Sequence, residues 1–227
     1  MATCDPFRSA RLIYRAVHPE KDKDLFNAIN DDRIGFQNSN AANIRLPGPA
    51  DAEKFLKEIA EEVLLGAVIC LPEAAAISSA SASENIREAT QQPLKKGKVV
   101  AKGNAGTPIG QIHLKAASRH MAHHRNTEIG IDILPQYQGK GYGSEAIQWA
   151  LRFAFERAGL HRVTIRAFEW NDGAVRLYRK LGFKEEGKVR DELWFEGRWW
   201  DGVFFGMLEG EWRELRAKEG KEEIELL

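Results

Sequence analysis

Residues 138–143 read Gln-Gly-Lys-Gly-Tyr-Gly. Their chemistry is that of an anion site. Glycines let a backbone approach a ligand closely and take positive φ where a turn demands it. A helical pattern starts near Ser144, so the unpartnered first amides of a helix, at the positive end of its dipole, would face outward here. A phosphate or pyrophosphate suits such a place. Two common phosphate loops do not fit. A P-loop needs G-x-x-x-x-G-K-[ST], but Lys140 lies between glycines and no Gly-Lys-Ser/Thr follows. A dinucleotide fingerprint needs G-x-G-x-x-G, and in Gly139, Gly141 and Gly143 the third glycine comes one residue early. The spacing that does fit is Gln-x-x-Gly-x-Gly, met by Gln138, Gly141 and Gly143. Taken alone, the stretch also reads as a tight strand-to-helix turn without a ligand.

Other reactive side chains are less organised. His120, His123 and His124 fall in one polar loop without a Cys or carboxylate at ligand spacing, so a solvated loop is expected and no metal. Cys4 and Cys70 are far apart and form neither a disulfide framework nor a zinc knuckle. Lys plus Arg and Asp plus Glu are 33 each, so the net charge is zero, which argues against a dedicated nucleic-acid binder. The first ten residues contain Asp5 and Pro6 and no apolar core of a signal peptide. No uncharged run approaches the ~18 residues of a membrane span. A soluble cytoplasmic protein that binds neither nucleic acid nor membrane is expected.

The elements that must position the loop can be read in order. Residues 1–9 read as a flexible tail. Residues 10–17 carry β-branched and aromatic residues at strand density. Helices are expected over 20–30 and 51–65 from apolar residues at helical spacing, with a long loop over 31–49. A short buried strand follows at 67–71. Residues 72–108 are poor in large apolar side chains and read as an exposed insertion on a strand connection, with one helical piece over 83–90. A further strand is expected over 109–115. Residues 127–134 alternate Ile129, Ile131 and Ile133 with Glu128, Gly130 and Asp132, a half-buried strand. The glycine loop and a helix over 144–158 come next, ended by Gly159. A strand over 161–168 completes a parallel βαβ unit. Asn171 or Asp172 then caps a helix reaching about Leu181. Strands over 183–192 and 199–208, joined through Glu196-Gly197, form an antiparallel hairpin. Residues 213–227 are a charged tail, either a solvated helix or frayed.

Residues 171–183 read Asn-Asp-Gly-Ala-Val-Arg-Leu-Tyr-Arg-Lys-Leu-Gly-Phe. This matches Asn-x-x-Ala-x-x-x-Tyr-x-x-x-Gly-Phe, and with the glycine loop it resembles the two signatures of the GNAT superfamily of N-acetyltransferases. The resemblance covers about residues 10–212. Arg190-Asp191, residues 197–201 and residues 206–208 with Trp212 look like the hairpin of the branch containing ribosomal-protein-alanine and spermidine N-acetyltransferases. The long insertion departs from compact members of that branch. The implied fold is α/β (α+β): a mixed, mostly antiparallel central sheet whose parallel fourth and fifth strands splay apart, flanked by helices.

The resemblance implies acetyl transfer from acetyl-CoA to a primary amine of a small molecule or peptide, by direct attack in a ternary complex. It places the pyrophosphate on Gln138, Gly139, Lys140, Gly141, Tyr142, Gly143 and Ser144. The pantetheine arm would follow Ile131, Ile133 and Leu134, with Asn171 holding its amides and Ala174 and Tyr178 lining its path. Backbone N–H groups near Ile133 or Leu134 would hold the oxyanion. Tyr178 would protonate the leaving thiolate, since a tyrosine keeps its proton at pH 7. Without the resemblance, Tyr178 reads as a core aromatic. Glu128 would be the base through water, or a carboxylate in a surface pair, and Asp132 a second candidate. Residues 31–49 and the hairpin over 194–200 would floor the amine site, and Trp194, Trp199 and Trp200 would form a lid or a homodimer contact, or close the sheet. A non-catalytic acetyl-CoA-binding module is the alternative function, and a docking role for the insertion fits either.

Overall fold

The structure is a computed structural model that describes residues 5–72 and 106–225. Its elements in chain order are β1 (Ile13–Ala16), α1 (Lys23–Asp31), α2 (Arg33–Ser39), α3 (Pro49–Glu61), β2 (Leu65–Leu71), β3 (Thr107–Leu114), β4 (Asn126–Ile133), α4 (Tyr142–Arg152) with a π-helical extension (Phe153–Arg157), β5 (Arg162–Phe168), α5 (Asp172–Lys180), β6 (Lys184–Phe195), β7 (Arg198–Leu208) and α6 (Glu209–Glu225). The strands form one sheet in the order β1-β2-β3-β4-β5-β7-β6. Every pair is antiparallel except β4 with β5. This is the mixed sheet expected, with flanking helices.

Two cores sandwich the first half of the sheet. Ile112, Leu114, Ile129, Ile147, Ala150, Val175 and Tyr178 belong to the core under α4 and α5. Phe26, Leu56, Ile59, Val68 and Cys70 belong to the core under α1 and α3. Strand β2 serves both, which is why residues 67–71 form an unbroken buried run rather than an alternating one. Asp22, just before α1, is nearly inaccessible but takes two bonds from Arg15, at 2.6 and 2.8 Å, and one from the His18 amide. Those donors offset the cost of burying a carboxylate.

Several expectations are corrected. Residues 31–49 are not one loop, because α2 lies within them, begun by Asp32, whose carboxylate accepts from the Gly35 amide at 3.0 Å. Seven residues without a buried side chain leave no apolar period to read. Helix α4 starts at Tyr142, two residues before the expected Ser144. Residues 5–9 are held rather than loose: Trp149 Nε1 donates to the Pro6 carbonyl at 2.9 Å and Ser9 Oγ to Glu145 at 2.6 Å. Of the two forms expected for the charged tail, the helix is the one present, from Glu209 to Glu225, with Trp212 buried beside Phe155. Strands β2 and β3 pair from Leu71 with Thr107 inward, so the stretch between them leaves and re-enters at one end of a hairpin. The piece expected over 83–90 lies outside the described residues.

Candidate active site

The site begins where β4 and β5 part. They pair at only three rungs, Asn126 with Arg162, Thr127 with Val163 and Glu128 with Thr164. Beyond them each strand stays bonded on its outer side, β4 to β3 and β5 to β7. Register settles which backbone groups face the gap. The Lys115 amide donates to the Glu128 carbonyl at 3.0 Å and the Leu134 amide to the Ile109 carbonyl at 2.9 Å. Hydrogen-bonding direction alternates along an antiparallel strand, so residues 128, 130, 132 and 134 bond toward β3. Ile131 and Ile133 therefore turn their N–H and C=O groups toward β5. Leu134 does not: its N–H is committed to β3 and its side chain is buried in the second core. Of the two oxyanion donors expected, only Ile133 has an N–H directed into the gap.

The glycine loop closes one end of that gap. Gly139 and Gly141 take φ of 71° and 81°, the left-handed region where a side chain costs roughly 1–2 kcal/mol. Gly141 is the N-cap of α4 and has no side chain to occupy the first amides. Gln138 Nε2 donates to the Ile133 carbonyl at 2.7 Å, tying the loop to the strand. Gly143 packs near Ile133 Cγ1. The Lys140 ammonium sits over the Tyr137 ring and the Arg11 guanidinium over the Tyr142 ring. Ser144 follows in the first turn, partly buried.

On the α4 face of the sheet, α5 carries Tyr178. The helix is capped by Asn171, whose Oδ1 accepts from the Ala174 amide at 3.2 Å. Tyr178 is 7% exposed and packs edge-on against Phe205 and beside Phe183. Burial, and secondarily the Asp132 charge, push its hydroxyl well above the ordinary tyrosine range. It holds its proton throughout the physiological range.

The opposite face carries both β4 carboxylates. Glu128, at the last paired rung, is 3.3 Å from Lys115 Nζ and 2.9 Å from Arg166 Nε. It lines an open cavity of about 310 Å³ with Arg162, Arg166, Glu186 and Phe204. Asp132, past the divergence, ends a polar chain. Gln111 Nε2 donates to its Oδ2 at 2.7 Å, and Gln111 Oε1 lies 3.0 Å from His113 Nδ1. Because the Gln111 amide nitrogen faces Asp132, its oxygen accepts, which fixes the proton on His113 Nδ1. Burial pushes His113 down to about 4, so the ring is neutral. The chain is walled by Phe55, edge-on to His113, and by Gly130, where a Cβ would lie 2.2 Å from the imidazole. Burial raises the Asp132 carboxyl and the Asp32 charge raises it further, against the Gln111 bond.

Around the mouth, α2 is fastened to the strand end: Trp170 Nε1 donates to Asn38 Oδ1 at 3.1 Å. Trp170 stacks on Phe195 and meets Trp200 edge-on. Ile34, Ile44 and Leu46 are strongly exposed, and Trp194 and Trp199 pair at the hairpin tip. Arg11, Gln111, His113 and Trp170 carried no sequence signal as site residues, and Asp32 was expected only as part of the 31–49 floor. Alternation could have put Gln111, His113, Gly130 and Asp132 on one face once the β3–β4 register was known. His120, His123 and His124 are exposed in a single turn, and among the described residues no group of His, Cys, Asp and Glu could hold a metal ion.

Comparison with known proteins gives this geometry its family. The model of the acetyltransferase (GNAT) domain matches residues 11–184. The chain belongs to the GNAT acetyltransferases. An uncharacterized N-acetyltransferase of Bacillus subtilis, YokL, is 30% identical over 129 residues, 55% of this chain and 70% of that protein. The putative ribosomal N-acetyltransferase YdaF of the same organism is 38% identical over 88 residues, 39% of this chain and 48% of that one. The spermidine N(1)-acetyltransferase of Vibrio cholerae is 38% identical over 78 residues, 34% and 45%. Among solved structures, the V. cholerae spermidine N-acetyltransferase in complex with CoA and spermine superposes with a TM-score of 0.64 at 22% identity, over 90% of this chain and 99% of that one. With the GNAT family come a reaction class and a co-substrate: this is an acetyl-CoA-dependent N-acetyltransferase. No helix among the described residues is long and apolar enough to cross a membrane.

Proposed function

We propose that the enzyme transfers acetyl from acetyl-CoA directly to a primary amine of a small molecule or peptide, in a ternary complex. One observation carries this reading: the β4/β5 gap has the glycine loop at its end, protonated Tyr178 on one face and Asp132 on the other. Pyrophosphate binds the amides of 138–144, and the pantetheine arm lies along Ile131 and Ile133 with Asn171 and Ala174 beside it. An acceptor amine is an ammonium in water, with a pKa near 10, and must first lose a proton. Glu128 can take it through water, but its carboxylate is held by two cations. Asp132 is the better placed of the two, because burial and Asp32 already favour its protonated form. The amine lone pair then attacks the thioester carbon, the Ile133 N–H holds the oxyanion, the C–S bond breaks and Tyr178 protonates the departing sulfur. Direct attack is favoured over an acyl-enzyme because Cys70 is buried in the second core on β2, its thiol pushed up to about 11 by burial.

Asp32 gives the mouth a charge suited to a cationic amine, and Trp170, Phe195 and Trp200 give it an aromatic wall. Self-association through the exposed Trp194–Trp199 pair is our reading of its assembly; a fold neighbour, the V. cholerae spermidine N-acetyltransferase, is dodecameric. Thiol release from acetyl-CoA, measured against spermidine, peptides with varied N-termini, aminoglycosides and amino acids, tests the function. Turnover with one class, lowered about 100-fold in Tyr178→Phe, supports it. Tight acetyl-CoA binding without turnover on any amine would favour a binding module.

A further inference from the structure

An ion pair at the glycine loop comes from the N-terminal segment, Arg11 to Glu145 at 2.7 Å. Glu145 lies in the first turn of α4, where a fixed carboxylate opposes an incoming phosphate. It is bound by three donors: Ser9 Oγ at 2.6 Å, the Arg11 amide at 2.7 Å and Arg11 Nε at 2.7 Å. Burial raises the Glu145 carboxyl, but the bonds from Ser9 and Arg11 outweigh it and hold the group below its ordinary range. The carboxylate is therefore charged at neutral pH and needs an answer. The same guanidinium sends Nη1 to the Lys140 carbonyl at 3.0 Å and lies 4.9 Å from the Tyr142 ring centre. Its Nη2 is 3.2 Å from where a Gly141 Cβ would stand. Arg11 thus touches the loop at residues 140, 141 and 142 while its side chain stays half exposed. The segment that brings it there is fixed too, by Trp149 to Pro6 and by Tyr14 stacked on Trp149 with ring centres 3.7 Å apart.

We propose that Arg11 is the positioning residue of the coenzyme phosphate site: it cancels Glu145, turns the Lys140 carbonyl away from the anion and offers Nη2 to a phosphate oxygen. Turning the carbonyl outward leaves N–H groups, not C=O, facing the ligand, and a phosphate accepts but does not donate. Cancelling Glu145 restores the field of the helix terminus. The fork geometry makes Arg11 non-interchangeable with lysine, because one side chain must reach a carboxylate, a carbonyl and a ligand together. This inference rests on the acetyl-CoA reading above and adds to it a residue outside both signatures.

The test is a two-residue cycle in the full chain, using calorimetry with CoA and steady-state kinetics with whichever amine turns over. Arg11→Ala should weaken CoA binding and raise the acetyl-CoA KM about 30-fold with kcat within twofold of wild type. Arg11→Lys should fall between them. Glu145→Gln should cost less than threefold, and Arg11→Ala with Glu145→Gln should recover several-fold of the loss, because the exposed anion is gone. The loss in Arg11→Ala should deepen at low salt, where an uncancelled Glu145 repels phosphate most. Unchanged CoA affinity in Arg11→Ala would overturn the inference. So would a fall in kcat and melting temperature without a KM change, which would mark a purely structural strut. If wild type did not bind CoA, the acetyl-CoA reading itself would fall, an outcome distinct from wild type and Arg11→Ala binding it equally.

Discussion

The two ends of the β4/β5 gap are built differently. At the glycine-loop end, short contacts converge on a few positions: Gln138 onto the Ile133 carbonyl, Arg11 onto the Lys140 carbonyl and the Glu145 carboxylate, Gly141 in a conformation few other residues tolerate. At the acceptor end, α2 buries no side chain, Ile44 is 99% exposed, and one bond from Trp170 to Asn38 fastens the rim. An invariant ligand can be met by a preorganised backbone, which loses little entropy on binding. In the proposed reading, acceptor choice lies with side chains on loosely held elements, which can change without disturbing the sheet. The difference fits a chain whose co-substrate and reaction class come with its family while its acceptor does not.

The comparison can be broken on β4 itself. Asp132→Asn should lower kcat by about 100-fold or more, within the range of a lost general base, with CoA affinity unchanged by calorimetry. Glu128→Gln should cost only a few-fold; the reverse order would move the base to the surface pair. Beneath Asp132, His113 supplies a pH signature. Its folded pKa, about 4, lies below the 6.5 of the unfolded chain. The unfolded state therefore takes up a proton first, and stability falls as pH drops from 6.5 toward 4, by up to about 3 kcal/mol. Lys115 adds to the depression and Glu128 opposes it. Chemical denaturation of wild type and His113→Gln across that window checks this: the variant should be weaker at pH 7 but lose about 3 kcal/mol less on acidification.

At the cofactor end, Gly141→Ala should raise the acetyl-CoA KM about tenfold, since φ of 81° is strained for alanine and a Cβ meets Arg11 at 3.2 Å. The acceptor KM should hardly move. Trp170→Ala is the mirror case and the smallest effect: a roughly threefold rise in acceptor KM with the acetyl-CoA KM unchanged, from loosening α2. A large acetyl-CoA effect from Trp170 would mean that the two ends are mechanically coupled.

The parts legible in the sequence were those that local rules determine. Glycine spacing marked the loop, alternation marked β4, and Asn171 marked the start of α5, because caps, turns and periodicity act within a few residues. What was hidden depends on register or distance. Leu134 and Ile133 look alike as neighbours, and only pairing with β3 shows that one amide is spent and the other faces the gap. Gln111 and His113 are ordinary strand residues until Asp132 is set opposite. Arg11 lies 134 positions from Glu145, beyond any local pattern. Helix α2 escaped notice because it buries nothing.

The short pairing of β4 with β5 also bears on solubility. Past Glu128, two strands in the middle of the sheet present inward edges that do not pair with each other. An unpaired edge is a template for any extended chain with amides at strand spacing. Pantetheine is such a chain, and so is a peptide from another molecule. In the binding mode proposed above the co-substrate arm covers these edges, so the enzyme should aggregate more slowly on warming with CoA than without it.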